Sequence, residues 1–186
     1  MQLLITGLTL WVVIHLFPGI CKNLRASIIE KIGLKPYKDM FALTIIASVV
    51  LIVLGWRGIE PQYIYYPEAW TKHVNFLLAL ITFILFSAAK SKTNIKRVLR
   101  HPQLTGLVIW SLGHLLANGE DRSIVLFATL GIWAILEMIV INKREGAWQK
   151  PEPVPVKKDV ISVVAGVVVY VVFMFLHPYF TGMKLM

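Results

Sequence analysis

Five histidines carry the most versatile chemistry in this chain: His15, His73, His101, His114 and His177. Two of them interrupt apolar text, His15 in "WVVIHLF" and His114 in "WSLGHLLANGED", and each follows a tryptophan by four residues (Trp11 and Trp110). An ionisable ring is costly in an apolar run that lies in lipid, so its presence there needs a function or a hydrogen-bonding partner. Two imidazoles from different helices could clamp a flat metal macrocycle, because histidine is a usual axial ligand of heme iron and helix bundles hold cofactors between facing helices. They could equally pin two helices together by hydrogen bonds. A zinc site is less suited, since no carboxylate or thiol stands at comparable depth with ligand spacing. The single cysteine, Cys21, excludes an internal disulfide and any CxxC motif.

The elements that must hold these rings follow from composition. Apolar and aromatic residues make up 57% of the 186 and charged residues 16%, with a mean hydropathy of +0.70. Soluble domains average about 45–50% apolar and about 25% charged. The apolar residues form six long blocks, at 3–20, 41–55, 74–89, 103–118, 123–141 and 160–176. A bilayer core of about 30 Å needs about 20 such residues as helix. The second and fourth blocks are short and lean on interfacial aromatics or tilted neighbours. None shows the alternation of a membrane β-strand. The chain therefore predicts an all-α, polytopic membrane helix bundle of about six transmembrane helices, forming one domain over 1–186. The first block lacks the positive leader of a cleavable signal peptide.

Charge sets the orientation. Fifteen of the nineteen Lys and Arg residues lie in the links after the first, third and fifth blocks, including Lys22, Arg25, Lys90, Arg100, Lys143 and Lys158. The positive-inside rule makes that side cytoplasmic and puts both termini outside. The net charge of +9 then faces anionic lipid headgroups, and no nucleic-acid partner is expected. At about 1.5 Å per residue, His15 lies about 18 Å below the outer boundary and His114 about 12 Å below it. They are the two histidines near mid-membrane, their depths differing by about 6 Å. His101 falls at the cytoplasmic mouth, and His73 and His177 near the outer surface.

Other residues have two readings each. Gly106 and Gly113 form a small stripe that admits either a cofactor ring or a neighbouring helix. Glu137 could be buried near His15 or reach the interface beside Arg144. Asn118, Glu120 and Asp121 could order an outer vestibule with His73 and His177 or only cap a helix. Arg100 and His101 could meet lipid, cofactor carboxylates or helix-end groups. Gly119 is available for a left-handed cap. "RGIEPQYIYYPEAW" reads as an interfacial outer loop, and "QKPEPVPVKKD" as an extended linker. No internal repeat is evident, which weakens a small-solute transporter reading.

"RHPQLTGLVIWSLGHLLANGEDRSIVLF" resembles the RHP…W..HLLANGD..S..LF core of the NnrU family, and the likeness extends over almost the whole chain through "LRASIIEKIGLKPYKDMFALTIIASVVLIVLGW", "YYPEAWTKHVNFLLAL" and "HPYFTG". The family was named for bacterial proteins linked to nitrite and nitric oxide reductase production in denitrification, and it includes a heme b enzyme, plant 15-cis-zeta-carotene isomerase. The resemblance implies b-type heme held by histidines that look like His15 and His114, with Trp11, Trp110, Gly113, Arg100, His101 and Asn118 as further candidate cofactor contacts. It implies a multi-pass protein of the bacterial inner membrane with an accessory or redox role in nitrite and nitric oxide metabolism, or else a heme-dependent cis-trans isomerase of a small apolar polyene. The isomerase branch carries a cysteine shortly before its HLLANG-type histidine. Ser111 stands in that neighbourhood here and Cys21 is distant, a departure that tells against ligand switching and against isomerase activity.

Overall fold

Each apolar run folds as a single helix, because in lipid every backbone N–H and C=O must be satisfied within its own segment. The computed structural model describes residues 1–182. Among these, the α-helices are α1 (Gln2–Ile20), α2 (Lys22–Ile32), α3 (Leu34–Arg57), α4 (Ala69–Lys90), α5 (Pro102–Ala117), α6 (Asp121–Glu145) and α7 (Val156–Thr181), with a 3-10 turn at Asn94–Arg97. Helices α1, α3, α4, α6 and α7 are long and apolar enough to cross a membrane. The 16 residues of α5 span about 24 Å, so this helix falls short of that length by itself. Pro102 opens it, at a position whose missing N–H costs no helical bond.

The basic link after the first apolar block is itself helical over Lys22–Ile32. Leu24, Ile28, Ile29 and Ile32 recur along one side of α2, with Lys22, Arg25 and Lys31 among them. That spacing describes an amphipathic surface helix. Gly33, at φ +86°, then reverses the chain into α3, a conformation that favours glycine.

Neighbours around the bundle run α7, α4, α5, α6, α1, α3, and α3 also touches α7. Helix α6 packs against both α1 and α5. Small residues let the backbones approach, as expected where lipid removes the hydrophobic drive for helix association. Gly7 lies against Ser48 and Ile52, and Gly166 against Ile84. A methyl group on Gly55 would sit 2.3 Å from the Leu4 backbone nitrogen. Backbone cannot swing aside as a flexible side chain does, so Gly55→Ala is expected to part α1 from α3 and cost about 1–3 kcal/mol. Thermal unfolding in detergent checks this, and an unchanged midpoint would show that the two helices slide freely. Leu43, Val168 and Phe175 are among the large apolar side chains left on the outside, facing lipid.

At the basic end, Asn94 ties the proline-rich linker down. Its amide nitrogen donates to Asp159 Oδ2 and to the Val154 carbonyl, at 2.6 and 2.7 Å, and its backbone N–H donates to Asp159 Oδ1. At the opposite end, the aromatic loop folds onto the start of α6, forming the isolated antiparallel bridge between Tyr63 and Glu120.

Candidate functional site

His15 sits on α1 within an aromatic group. Its ring lies 4.2 Å from Trp11, 4.9 Å from Trp133 of α6 and 6.0 Å from Phe41 of α3, centroid to centroid. His114 sits on α5 in a second group, 4.6 Å from Trp110 and 4.5 Å from Phe127 of α6. Phe127 also meets Trp110 and, at 6.2 Å, Trp56 of α3. Tryptophan four residues ahead of each histidine falls one helical turn away on the same face, which is why both pairs touch.

The two imidazoles share a local arrangement. His15 Nδ1 lies 2.8 Å from the Trp11 carbonyl and His114 Nδ1 lies 2.9 Å from the Trp110 carbonyl. A carbonyl only accepts, so each Nδ1 carries the proton and each Nε2 keeps its lone pair. Neither Nε2 has a hydrogen-bond partner among the described residues. This is the tautomer a metal-ligating histidine needs, fixed by a backbone acceptor. Both hydrogen bonds stay within their own helices.

Helix α6 changes the expected picture of a cleft between α1 and α5 alone. His15 packs on Trp133 and His114 on Phe127, six residues and so about 9 Å apart along α6. No hydrogen bond or ring contact joins His15 to His114 among the described residues. The two rings therefore lie in separate aromatic groups that share α6, and α3 contributes Phe41 to one and Trp56 to the other. His177 of α7 lies within electrostatic range of His114.

Among the described residues several buried polar atoms have no hydrogen-bond partner, including the indole N–H groups of Trp11, Trp56 and Trp133 and the hydroxyl of Ser111. Buried polar groups are ordinarily paired, so each of these donors is available to a group other than the described residues. Two imidazoles with Nε2 available, beside aromatic rings, have the chemistry that would hold a heme. Among the described residues no group of three or more His, Cys, Asp or Glu could hold a bare metal ion.

The remaining candidates separate. Gly106 lies against Phe86 and Leu85, and Gly113 against Asn75 and Leu78, so this stripe packs onto α4 and is no cradle for a ring. Arg100 donates to the Gly146 carbonyl and pairs with Glu145, and His101 meets Asn142 at 2.8 Å. Thirteen residues of helix put His101 about 20 Å from His114, outside the aromatic site. Asn118 donates to the His114 carbonyl at 2.9 Å, closing the end of α5 directly behind the histidine. Glu137 is half-buried with one unpartnered carboxylate oxygen and touches neither histidine through any hydrogen bond. His73 is exposed.

Gly119 is not a left-handed cap. The glycines with positive φ are Gly33, Gly146 and Gly182. Gly119 is small because the Tyr65 carbonyl passes where a Cβ would sit. Ile64 and Tyr65 both donate to the Gly119 carbonyl, and the Tyr65 hydroxyl donates to the carbonyls of Leu115 and Asn118. The aromatic loop thus lies over the end of α5 that carries His114.

Arg122 is the residue that sequence reasoning missed. It is 9% exposed and Glu120 4%. Arg122 Nε donates to Glu120 at 2.9 Å, one terminal nitrogen donates to the carbonyls of Trp56 and Ile59, and the guanidinium stacks 4.6 Å from the Trp56 ring. It ties the end of α3 to the start of α6 beside Phe127. The available signal was its place among the few basic residues outside the three basic links.

A family model described as NnrU protein matches residues 3–185 of this sequence. No curated protein and no solved structure matches it.

Proposed function

The chain belongs to the NnrU family, and from that premise we propose that this multi-pass membrane protein binds b-type heme through His15 and His114. We place its work in an accessory or redox role in nitrite and nitric oxide metabolism at the bacterial inner membrane, with the basic end in the cytoplasm. The observation that carries the reading is the matched pair of imidazoles, each packed on aromatic rings, with Nδ1 committed to its own helix and Nε2 without a hydrogen-bond partner among the described residues. When bound, heme supplies one-electron chemistry and an iron atom able to bind nitrogen oxides. The chain's part is to present the Nε2 lone pairs, to exclude water with Trp11, Trp110, Phe127 and Trp133, and to offer buried N–H donors. The loop held by Tyr65 limits access from the end opposite the basic residues.

Isomerisation of an apolar polyene is the second reading, and Ser111 tells against it. Its hydroxyl is buried, unpartnered and packed 3.4 Å from the position a Cβ on Gly131 would take. A hydroxyl there cannot serve as the alternate thiolate ligand that the isomerase branch is thought to use.

The visible spectrum of detergent-purified protein, oxidised and then reduced, tests the proposal. Sharp reduced α and β bands are expected. A colourless protein from cells with ample heme would sink it. Reductase genes beside this one would favour the nitrogen-oxide role, and conversion of a 15-cis polyene by the reduced heme-loaded protein would favour isomerisation.

A further inference from the structure

A groove of about 440 Å³ opens between α4 and α7 at the basic end. Lys90, Lys92 and Lys158 stand around it, and the Ser87, Ser91 and Ser162 hydroxyls line its wall. Among the described residues none of the three ammonium groups has a carboxylate partner. The nearest acid in sequence, Asp159, has both oxygens committed to Asn94. Ser162 is 2% exposed and shares its hydroxyl with Ser87 and Ser91, at 3.3 and 3.1 Å, so the hydroxyls form one connected rim. Deeper along the helices the lining turns apolar at Ile161 and Ala165. Below it, Gly166 of α7 packs directly on the Ile84 backbone of α4.

We infer that this groove is a specific site for an anionic phospholipid, its phosphodiester at the lysine and serine rim and an acyl chain along Ile161 and Ala165. Three uncompensated cations at one rim match a phosphate, and the apolar lining below them matches the chain attached to it. Basic pockets between membrane helices hold acidic headgroups for this reason. The other polar cleft at this end differs, because Arg100 is already neutralised by Glu145 and the Gly146 carbonyl.

Native mass spectrometry of the full chain, delipidated and then titrated with phosphatidylglycerol, phosphatidylcholine or inorganic phosphate, tests the inference. Phosphatidylglycerol is expected to be retained in preference to phosphatidylcholine. The triple variant Lys90→Gln, Lys92→Gln, Lys158→Gln should weaken it by about tenfold or more. The charge-matched variant Lys22→Gln, Lys31→Gln, Lys143→Gln should stay within about twofold of the parent. All six lysines are exposed, so both variants should keep the parent's unfolding midpoint in phosphatidylcholine. Equal losses in the two variants would mean diffuse surface charge and would overturn the site. So would the absence of any preference for phosphatidylglycerol. Inorganic phosphate binding as tightly as the lipid would reduce it to a plain anion site and overturn the lipid assignment.

Discussion

Alanine at His15 or at His114 is expected to abolish the sharp reduced α and β bands of the purified protein. Each imidazole offers one free nitrogen, and the Nδ1 bond to the Trp11 or Trp110 carbonyl orients it. A two-histidine heme that loses either ligand loses its low-spin spectrum even where heme is retained. The fold should tolerate the change, because neither ring bonds to another helix and what is lost is mainly packing against Trp133 or Phe127. His101→Ala is the control. That ring is bound to Asn142 about 20 Å from His114 and should leave the bands untouched. Bands that persist in both the His15 and His114 variants would remove these residues as ligands, and loss of bands in His101→Ala would move the site to the basic end.

Arg122→Ala is expected to cost about 3–5 kcal/mol of stability, as breaking a buried ion pair on one side does. The loss has a specific origin. Glu120, at 4% exposure, would keep its carboxylate buried with no counterion, and the Trp56 and Ile59 carbonyls at the end of α3 would lose their donor. Arg122→Lys should recover only part, since an ammonium cannot both fork between Glu120 and those carbonyls and stack flat on Trp56. The double variant Glu120→Gln, Arg122→Met should lie above Arg122→Ala, because it removes both charges together. Reversible unfolding in mixed micelles measures the series. A double variant no more stable than Arg122→Ala would show that donation to the carbonyls, and not the charge pair, holds this corner. The same corner carries Phe127 against Trp110 and His114, so any visible bands should broaden in Arg122→Ala even at temperatures where the protein stays folded.

The spans were legible because hydropathy is local: a window of about 20 residues reports whether a segment prefers lipid, whatever surrounds it. The pairing of Trp11 with His15 and of Trp110 with His114 was legible for a similar reason, since four residues make one turn of any helix. The helical character of α2 was open to view in its spacing but was masked by its charge. Its apolar residues at 24, 28, 29 and 32 lie among lysine and arginine, which mark the segment first as a charged link.

By itself, then, the sequence determined a helical membrane bundle of the NnrU family, the asymmetry of its charge and the two histidines set deep in apolar segments. Only the tertiary structure decided what those histidines face. Helix order depends on which small residues interlock across the bundle, as Gly55 does with Leu4 and Gly113 with Asn75 and Leu78, and these partners lie tens of residues away in the chain. That order put α6 between the two histidine helices and brought α3 to both aromatic groups, where a cleft between two helices was expected. It likewise turned Gly119 from a cap into a passage for the Tyr65 carbonyl, and Arg122 from a surface charge into the clamp between α3 and α6. Burial and proximity arise from long-range packing, which no window along the chain contains.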